Sequence, residues 1–358
     1  MTVPERPAGP RDRPGAPFVA VSHLVLRGTP EQIGYGLARA AAGVYGSAPR
    51  RMPPVLGRAR RRWFAVNWPE HHERARGMAA AFGVDDDPSL CVDDLNGMPL
   101  AGGCSAVWSP PSGAEPAVIA RNFDIHESVI GTAPPPAGQR LPALARPHVV
   151  EMHPDRGLSS VAVTGNNLSG CLEGINEAGL AVVELADGQG GTIRPAGGPQ
   201  AGLDEAQLPR FLLDRCRTAA EAREALHGAK HYTRYSTCHF LIADASGDAF
   251  VWEREGDNVE HVVDAGAGPL VVTNHLLAPG VAPAGDSLAR LRHLERRTRD
   301  GEGVHDALDE VRPEQFGIPE AVTLWRSEYR MAESSMIVRF LLGVEESRRY
   351  SAPVTVTL

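Results

Sequence analysis

The chain has 358 residues, of which 42% are hydrophobic and 22% charged, and its formal net charge is −8. These values are typical of a globular protein with one large or two smaller domains, and the acidic balance argues against nucleic-acid binding. No apolar run approaches the ~18 residues of a membrane-spanning helix, which predicts no membrane partner. Residues 1–17 are rich in Pro, Arg and Gly and lack the apolar core of a secretory signal, so they are predicted to be a disordered tail of a cytoplasmic protein.

The cysteines agree with that location. Their number is odd and none are spaced as CxxC pairs, which favours reduced thiols over disulfides or a zinc site. The adjacent His71 and His72 lack the HExxH pattern of a zinc-protease helix. No metal and no cofactor are therefore predicted. The five cysteines are Cys91, Cys104, Cys171, Cys216 and Cys238.

The first part of the chain is patterned mainly as helix. Thr29 is followed by Pro30 and Gln32, which together provide an N-cap, a first-turn proline and a capping-box glutamine. A second helix is predicted to begin at Pro69. Residues 18–103 are therefore interpreted as a helical segment that precedes the main domain.

The pattern changes to strands at Cys104. Strands followed by helices and then by further strands favour an α+β layered domain over a β–α alternation. Two loops rich in Pro and Gly, Thr132–Pro147 and Asp187–Leu203, are long enough to be lids or binding loops. The predicted strands are Ala117–Ala120, Val149–Met152, Ser159–Thr164, Leu180–Leu185, Thr237–Ala243, Ala249–Glu253, Val271–Thr273, Ser335–Leu342 and Tyr350–Leu358. Helices are predicted after Asp204, over Ala219–Leu226, and from Asp286 or Ser287 onward.

Cys104 follows Gly102 and Gly103 and opens the first of these strands. Cysteine attacks as the thiolate, so it needs a base or a lowered pKa. If the chain is cut before Cys104, the new α-amine has a reference pKa of roughly 7.7–8.0 and suits the role of base. The same thiol can make that cut by attacking the carbonyl of Gly103, where the missing side chain eases the approach.

Two other interpretations of Cys104 remain open at this point. The chain could instead use a histidine as the base, and His126, His239 and His275 are candidates that the sequence does not rank. A lone cysteine is also commonly a small buried hydrophobe without chemistry.

Six segments in order resemble one known family, that of penicillin acyltransferase (acyl-coenzyme A:6-aminopenicillanic acid acyltransferase). More distantly they resemble bile salt hydrolases and acid ceramidase, all N-terminal-nucleophile cysteine amidohydrolases or acyltransferases. The resemblance extends from about Leu26 to the C-terminus. Its segments are Leu26-Arg27-Gly28-Thr29…Gly34, Gly103-Cys104-Ser105, Ala120-Arg121-Asn122-Phe123-Asp124, Gly174-Ile175-Asn176-Glu177-Ala178-Gly179-Leu180, Asp244-Ala245-Ser246-Gly247…Glu253 and Val272-Thr273-Asn274-His275.

This resemblance implies an N-terminal-nucleophile fold over residues 104–358, an αββα sandwich with two antiparallel sheets between helical layers. It also implies autocatalytic cleavage between Gly103 and Cys104. The helical segment 18–103 would then remain as the small chain of a two-chain protomer.

The resemblance assigns roles to individual residues. Cys104 would be the nucleophile, and Arg121 would lie beside it, where its charge favours the thiolate. Asp124 would orient the α-amine. Asn274 would lie near the oxyanion hole, where a side-chain donor stabilises the tetrahedral intermediate by roughly 2.7–4 kcal/mol in known cases.

Arg290 is the expected late active-site arginine, with Arg292 as its competitor. Two departures from the family pattern concern cleavage and the second oxyanion donor. Gly102 stands where many relatives have aspartate, and Ala186 stands where the bile-salt-hydrolase branch has an asparagine. Candidates for that second donor are Asn166, Asn167 and Asn176, which are equally typical of turns.

The implied activity is hydrolysis or acyl transfer at a C–N amide bond of a small molecule, through a thioester acyl-enzyme. The implied partner is a small-molecule amide or acyl donor, and an acyl-coenzyme A donor is compatible with this chemistry. The alternatives are an uncleaved cysteine hydrolase with a histidine base and a catalytically silent binding protein of the same fold.

Overall fold

The structure is a computed structural model that describes residues 19–84, 87–94, 103–113, 115–130, 141–165, 168–187, 196–254, 259–278, 286–318, 320–343 and 349–358. The predicted tail 1–17 lies outside the described residues. So do Gly102, Asn166, Asn167 and parts of the two loops rich in Pro and Gly.

The described residues form strands and helices throughout the chain. The strands are β1 (Ser22–Gly28), β2 (Arg50–Arg51), β3 (Leu90–Cys91), β4 (Cys104–Ser109), β5 (Val118–His126), β6 (His148–Pro154), β7 (Ser160–Thr164), β8 (Glu173–Asn176), β9 (Ala181–Ala186), β10 (Cys238–Ala243), β11 (Ala249–Arg254), β12 (Glu260–Asp264), β13 (Leu270–Val272), β14 (Ala321–Arg330), β15 (Ser335–Gly343), β16 (Arg349–Tyr350) and β17 (Val354–Thr357). The α-helices are α1 (Pro30–Tyr45), α2 (Pro54–Asn67), α3 (Pro69–Ala81), α4 (Glu127–Ile130), α5 (Gln207–Arg215), α6 (Ala219–Gly228), α7 (Asp286–Arg299) and α8 (Val304–Glu310).

Two large sheets organise the fold. The eight-stranded sheet has the order β1-β6-β7-β8-β9-β10-β11-β12, and the seven-stranded sheet has the order β13-β4-β5-β14-β15-β16, with β17 pairing β15. All neighbouring strands of the seven-stranded sheet are antiparallel. In the eight-stranded sheet the pair β1–β6 is parallel and the other pairs are antiparallel.

The two sheets face each other across one apolar core, to which Trp108, Phe123, Leu185, Leu241 and Trp325 contribute. Helices α5 and α6 cover the outer face of the eight-stranded sheet. Helices α7 and α8 cover the outer face of β13, β4 and β5. The predicted α+β sandwich of two sheets between helical layers is confirmed, with the parallel pair β1–β6 as the exception to its antiparallel pairing.

The segment before Cys104 contains more than the predicted helices. Helix α1 begins with the predicted capping box, in which Thr29 Oγ1 accepts from Gln32 N (3.1 Å) and Gln32 Oε1 accepts from Thr29 N (2.8 Å). The strand β1 was not predicted. Its Leu24 and Leu26 pack with α1 and α3 in a separate apolar cluster, so the segment extends the eight-stranded sheet.

Buried polar contacts also join this segment to the rest of the protein. Asp94 accepts from Arg234 Nε (3.1 Å) and from Tyr235 Oη (2.8 Å). Asp214 accepts from Trp68 Nε1 (2.8 Å) and pairs with Arg74. Removing one partner of such a buried pair costs several kcal/mol of stability, so these contacts stabilise the packing of the segment against the rest of the protein.

None of the helices in the described part of the chain is long and apolar enough to cross a membrane.

Candidate active site

Cys104 is the first residue of β4, and its side chain faces the apolar core between the sheets, where it is 3% exposed. Antiparallel pairing of β4 with β5 sets Cys104 opposite Phe123 and Ala106 opposite Arg121. Because alternate residues of a strand share a face, the side chains of Cys104 and Arg121 both face the inter-sheet core.

Arg121 joins the thiol to a buried carboxylate. Its Nη2 donates to Cys104 Sγ (3.2 Å) and its Nη1 donates to Glu173 Oε2 (2.8 Å). Glu173 lies on β8 of the opposite sheet, is fully buried, and also accepts from Trp325 Nε1 and Ser327 Oγ. The guanidinium is therefore held against the thiol from across the core.

Burial raises the pKa of the Cys104 thiol, and the charge and hydrogen bond of Arg121 offset part of that increase. A thiol next to an arginine is easier to ionise than one in a purely apolar site. In this uncleaved chain, however, burial has the larger effect and the neutral thiol is favoured.

Both ends of the peptide bond before Cys104 are hydrogen-bonded. The carbonyl oxygen of Gly103 accepts from Asp124 N (2.8 Å), and Cys104 N donates to Asn274 Oδ1 (2.6 Å). A Cβ atom on Gly103 would lie 3.4 Å from both Asn274 Oδ1 and Arg290 Nη2. The glycine therefore lets these two side chains approach the bond closely.

Asn274 is oriented by two neighbours. Its Nδ2 donates to Ala186 O (2.7 Å), while its Oδ1 also accepts from Arg290 Nη2 (2.9 Å). The amide thus presents its oxygen to Cys104, which differs from the expected oxyanion-donor role. The arginine fixes this orientation, because a guanidinium can only donate.

Arg290 lies on α7 and reaches back to β4. Its Nη1 donates to Cys104 O (2.7 Å) and to Ser105 Oγ (2.8 Å), and its Nε donates to Asp286. Arg292, its predicted competitor, is exposed on the same helix. Of the two arginines, the structure places Arg290 in the site.

Asp124 lies at the same end of β5 and accepts from Thr323 Oγ1 (2.6 Å). Burial raises its pKa to about 6, although Arg290 and the bond from Thr323 oppose the increase. Its carboxyl group therefore titrates close to neutral pH.

We expect turnover to decline as the pH falls through about 6, because protonation removes the carboxylate charge that would orient the α-amine of a cut chain. Asp124→Asn should lower turnover and abolish that acid limb. The pKa of Asp124 in the folded state is raised above the unfolded value of about 3.9, because ionisation of this carboxyl group costs more in the folded protein. The stability that comes from keeping Asp124 protonated is fully present below about pH 4 and is lost as the pH rises through the folded value. In the uncut Cys104→Ala background, urea unfolding should thus show the chain with Asp124 losing stability relative to Asp124→Asn between about pH 4 and 7; an unchanged difference would contradict this assignment.

The candidate histidine bases bond elsewhere. His126 contacts Ser128 and Glu320, His239 contacts Glu253 and the carbonyl of Thr273, and His275 contacts Ser287. Among the described residues, no histidine nitrogen lies within hydrogen-bonding distance of Cys104 Sγ.

Asn176, a candidate second oxyanion donor, stabilises a turn. Its Oδ1 accepts from the backbone of Ala178 and Leu180, and its Nδ2 donates to the carbonyls of Leu213 and Cys216. The other candidates, Asn166 and Asn167, lie outside the described residues.

Sequence reasoning missed Glu173, Ser105 and Thr323. A signal existed for Glu173, which stands between Leu172 and Gly174 in an otherwise apolar run. A buried carboxylate normally requires a cationic partner, and Arg121 was the charged residue already placed inside the domain. The roles of Ser105 and Thr323 depend on contacts across strands and helices that no local pattern carries. Within the described part of the chain, no cluster of three or more His, Cys, Asp or Glu residues could hold a metal ion.

The comparisons with solved structures give low similarities. A mutant of the conjugated bile acid hydrolase from Clostridium perfringens is 12% identical, with a TM-score of 0.47, and the match covers 71% of this chain and 92% of that chain. Penicillin V acylase from Agrobacterium tumefaciens is 16% identical, with a TM-score of 0.43 and coverage of 68% and 84%. The Caenorhabditis elegans ortholog of N-acylethanolamine-hydrolyzing acid amidase is 14% identical, with a TM-score of 0.45 and coverage of 64% and 93%.

No curated protein sequence shows significant similarity to the chain. A family model does match, that of acyl-coenzyme A:6-aminopenicillanic acid acyl-transferase, over residues 110–334. The matched region begins just after Cys104 and includes Arg121, Asp124, Asn274 and Arg290. Because it spans well over half of the chain, the protein belongs to the acyl-coenzyme A:6-aminopenicillanic acid acyl-transferase family.

Proposed function

We propose that the protein is a cysteine amidohydrolase or acyltransferase that acts on a C–N amide bond of a small molecule and matures by cutting its own Gly103–Cys104 bond. The observation that carries this proposal is the arrangement around that bond. The thiol belongs to the residue that follows the bond, the carbonyl oxygen accepts from Asp124 N, and the amide nitrogen donates to Asn274 Oδ1.

The maturation step begins when Cys104 Sγ attacks the carbonyl carbon of Gly103. Negative charge then develops on the carbonyl oxygen, where the Asp124 N–H at 2.8 Å can stabilise it. The C–N bond breaks, and the proton lost by the thiol ends on the departing nitrogen. Water then hydrolyses the resulting thioester, which leaves a carboxylate on Gly103 and a free α-amine on Cys104.

In the mature protein this α-amine serves as the base for its own thiol, as in other N-terminal nucleophiles. Arg121 donates to the sulfur and favours the thiolate. The thiolate attacks the substrate carbonyl, the amine or thiol leaving group departs with a proton, and an acyl thioester remains on Cys104. Water completes hydrolysis of this acyl-enzyme, or an acceptor amine completes acyl transfer.

The acyl source is either an amide or a thioester such as an acyl-coenzyme A, the donor named in the description of the family. We also place the protein in the cytoplasm, because all five cysteines are free and free thiols are typical of reducing compartments. The segment before Cys104 stays bound after cleavage as the small chain, held by β1 and by the buried pairs of Asp94 and Asp214.

N-terminal sequencing and intact mass measurement of the purified protein test this proposal directly. We expect one fragment that begins at Met1 and one that begins at Cys104, and a hydroxylamine-sensitive acyl adduct on the second fragment after incubation with acyl para-nitroanilides or acyl-coenzyme A. An intact, active chain whose activity requires His126, His239 or His275 would overturn it in favour of a histidine-dependent hydrolase. An intact chain whose Cys104 resists alkylation and forms no adduct would indicate a binding protein.

A further inference from the structure

A buried histidine–glutamate pair lies on the inner face of the eight-stranded sheet. His239 on β10 and Glu253 on β11 are both fully buried, and His239 Nδ1 lies 3.2 Å from Glu253 Oε1. Neither residue hydrogen-bonds to Cys104, Arg121 or Glu173. A carboxylate buried in a core needs hydrogen bonds or an opposite charge to offset the hydration that it loses.

Both members of this pair bind the segment that carries Asn274. His239 Nε2 lies 2.6 Å from the carbonyl oxygen of Thr273, which can only accept, so this nitrogen carries a proton. The two oxygens of Glu253 accept from the backbone N–H groups of Leu277 (2.7 Å) and Ala278 (2.9 Å). The pair thus holds the backbone on both sides of Asn274.

The carboxylate is suited to this role. Burial alone would raise the pKa of Glu253, but the bonds from His239 and from the two backbone amides hold it below its usual value. Helix α7 holds the same segment from the other side, because Asn274 N donates to Ser287 Oγ (2.7 Å). Asn274 is therefore fixed between the two sheets by α7 on one side and by the buried pair on the other.

We propose that His239 and Glu253 are positioning residues for Asn274, which they hold so that its Oδ1 meets the nitrogen of Cys104. Asn274 Oδ1 lies 2.6 Å from that nitrogen, and its Nδ2 is taken up by Ala186 O. A shift of the 273–278 backbone would move the acceptor away from the peptide bond that is to be cut. Misplacement of a catalytic group by about 1 Å can cost ~100-fold in rate. This inference rests on the proposed function for its effect on rate, but not for its geometry.

Two substitutions of His239 separate positioning from simple structural support. The amide nitrogen of His239→Gln can take the place of Nε2 and still donate to Thr273 O, whereas His239→Asn is too short to do so. We expect His239→Gln to self-cleave within about 5-fold of wild type and His239→Asn to be slower by roughly 30- to 100-fold. We measure the rate at which the Cys104 fragment appears after cell-free translation, and we compare this rate between variants of equal melting temperature. The variant His227→Asn, at an exposed position, is the control.

The third variant, Glu253→Gln, places an amide NH₂ where one backbone N–H now finds an oxygen. We expect faster hydrogen exchange at Leu277 and Ala278 and slower cleavage. Equal cleavage rates in the Gln and Asn variants of His239, or losses that follow the melting temperature alone, would overturn the positioning role. If wild type itself does not cleave, the proposed self-cleavage is wrong, but the positioning role can still be tested. The test is then the rate at which iodoacetamide alkylates Cys104 in the same variants. Equal alkylation rates would overturn the positioning role.

Discussion

Replacement of Cys104 by alanine should leave the chain intact at 38.2 kDa and without amide turnover or acyl transfer. Loss of the attacking atom removes both the cut before Cys104 and the acyl-enzyme. Removal of a nucleophile in comparable covalent enzymes lowers kcat on the order of 10⁶-fold. Gel electrophoresis after expression and para-nitroaniline release from acyl para-nitroanilides measure the two effects separately.

The control for this variant is Cys171→Ala, which removes an equally buried thiol from the cluster beneath α5 and α6. It should cost about 1 kcal/mol of stability, in line with a small core truncation, and should cleave and turn over normally. Cleavage in the Cys104→Ala chain would show that another group attacks the bond. Loss of cleavage in both variants would point to general misfolding instead.

Replacement of Arg121 by methionine should damage stability and thiol reactivity together. The substitution leaves Glu173 as an unpaired carboxylate that is fully buried, and breaking such a pair costs about 3–5 kcal/mol. It also removes the nearby positive charge that offsets part of the increase that burial causes in the pKa of the Cys104 thiol, so this pKa should rise further. Chemical unfolding in the Cys104→Ala background, in which no chain is cut, measures the first effect, and the pH dependence of iodoacetamide alkylation measures the second.

The double variant Arg121→Met/Glu173→Gln separates the two effects. With the carboxylate neutralised, most of the lost stability should return, because replacing both members of a buried pair is often nearly neutral. The reactivity of Cys104 should not return, since the thiol still lacks its charged neighbour. Recovery of both properties would mean that Arg121 acts on the thiol only through the integrity of the core.

The layered fold could be predicted because most strands are short apolar runs between turn residues. Strand β14 was missed for a physical reason. Val322 and Leu324 face the core in alternation, but a bulge between Thr323 and Trp325 shifts the register so that two consecutive positions point inward. An alternating pattern that changes phase does not resemble a strand in the sequence.

Part of the candidate site could also be predicted from the sequence. The spacing from Cys104 to Arg121 suits two paired strands, so their proximity followed from pattern and resemblance. The orientation of the Asn274 amide did not follow, because it depends on Arg290 and Ala186, which approach from distant parts of the chain. Glu173 comes from the opposite sheet, and facing sheets are brought together by packing that no local sequence pattern encodes.

The pairing of β1 with β6 has a consequence for the life of the protein after maturation. A cut before Cys104 would leave the eight-stranded sheet spanning two separate chains, with β1 on one and β6 on the other. Refolding of the mature protein would then be bimolecular and concentration-dependent, whereas the uncleaved Cys104→Ala chain would refold in a first-order reaction. The cut form would be assembled once, from its precursor, and would persist afterwards because it unfolds slowly rather than because it re-forms readily.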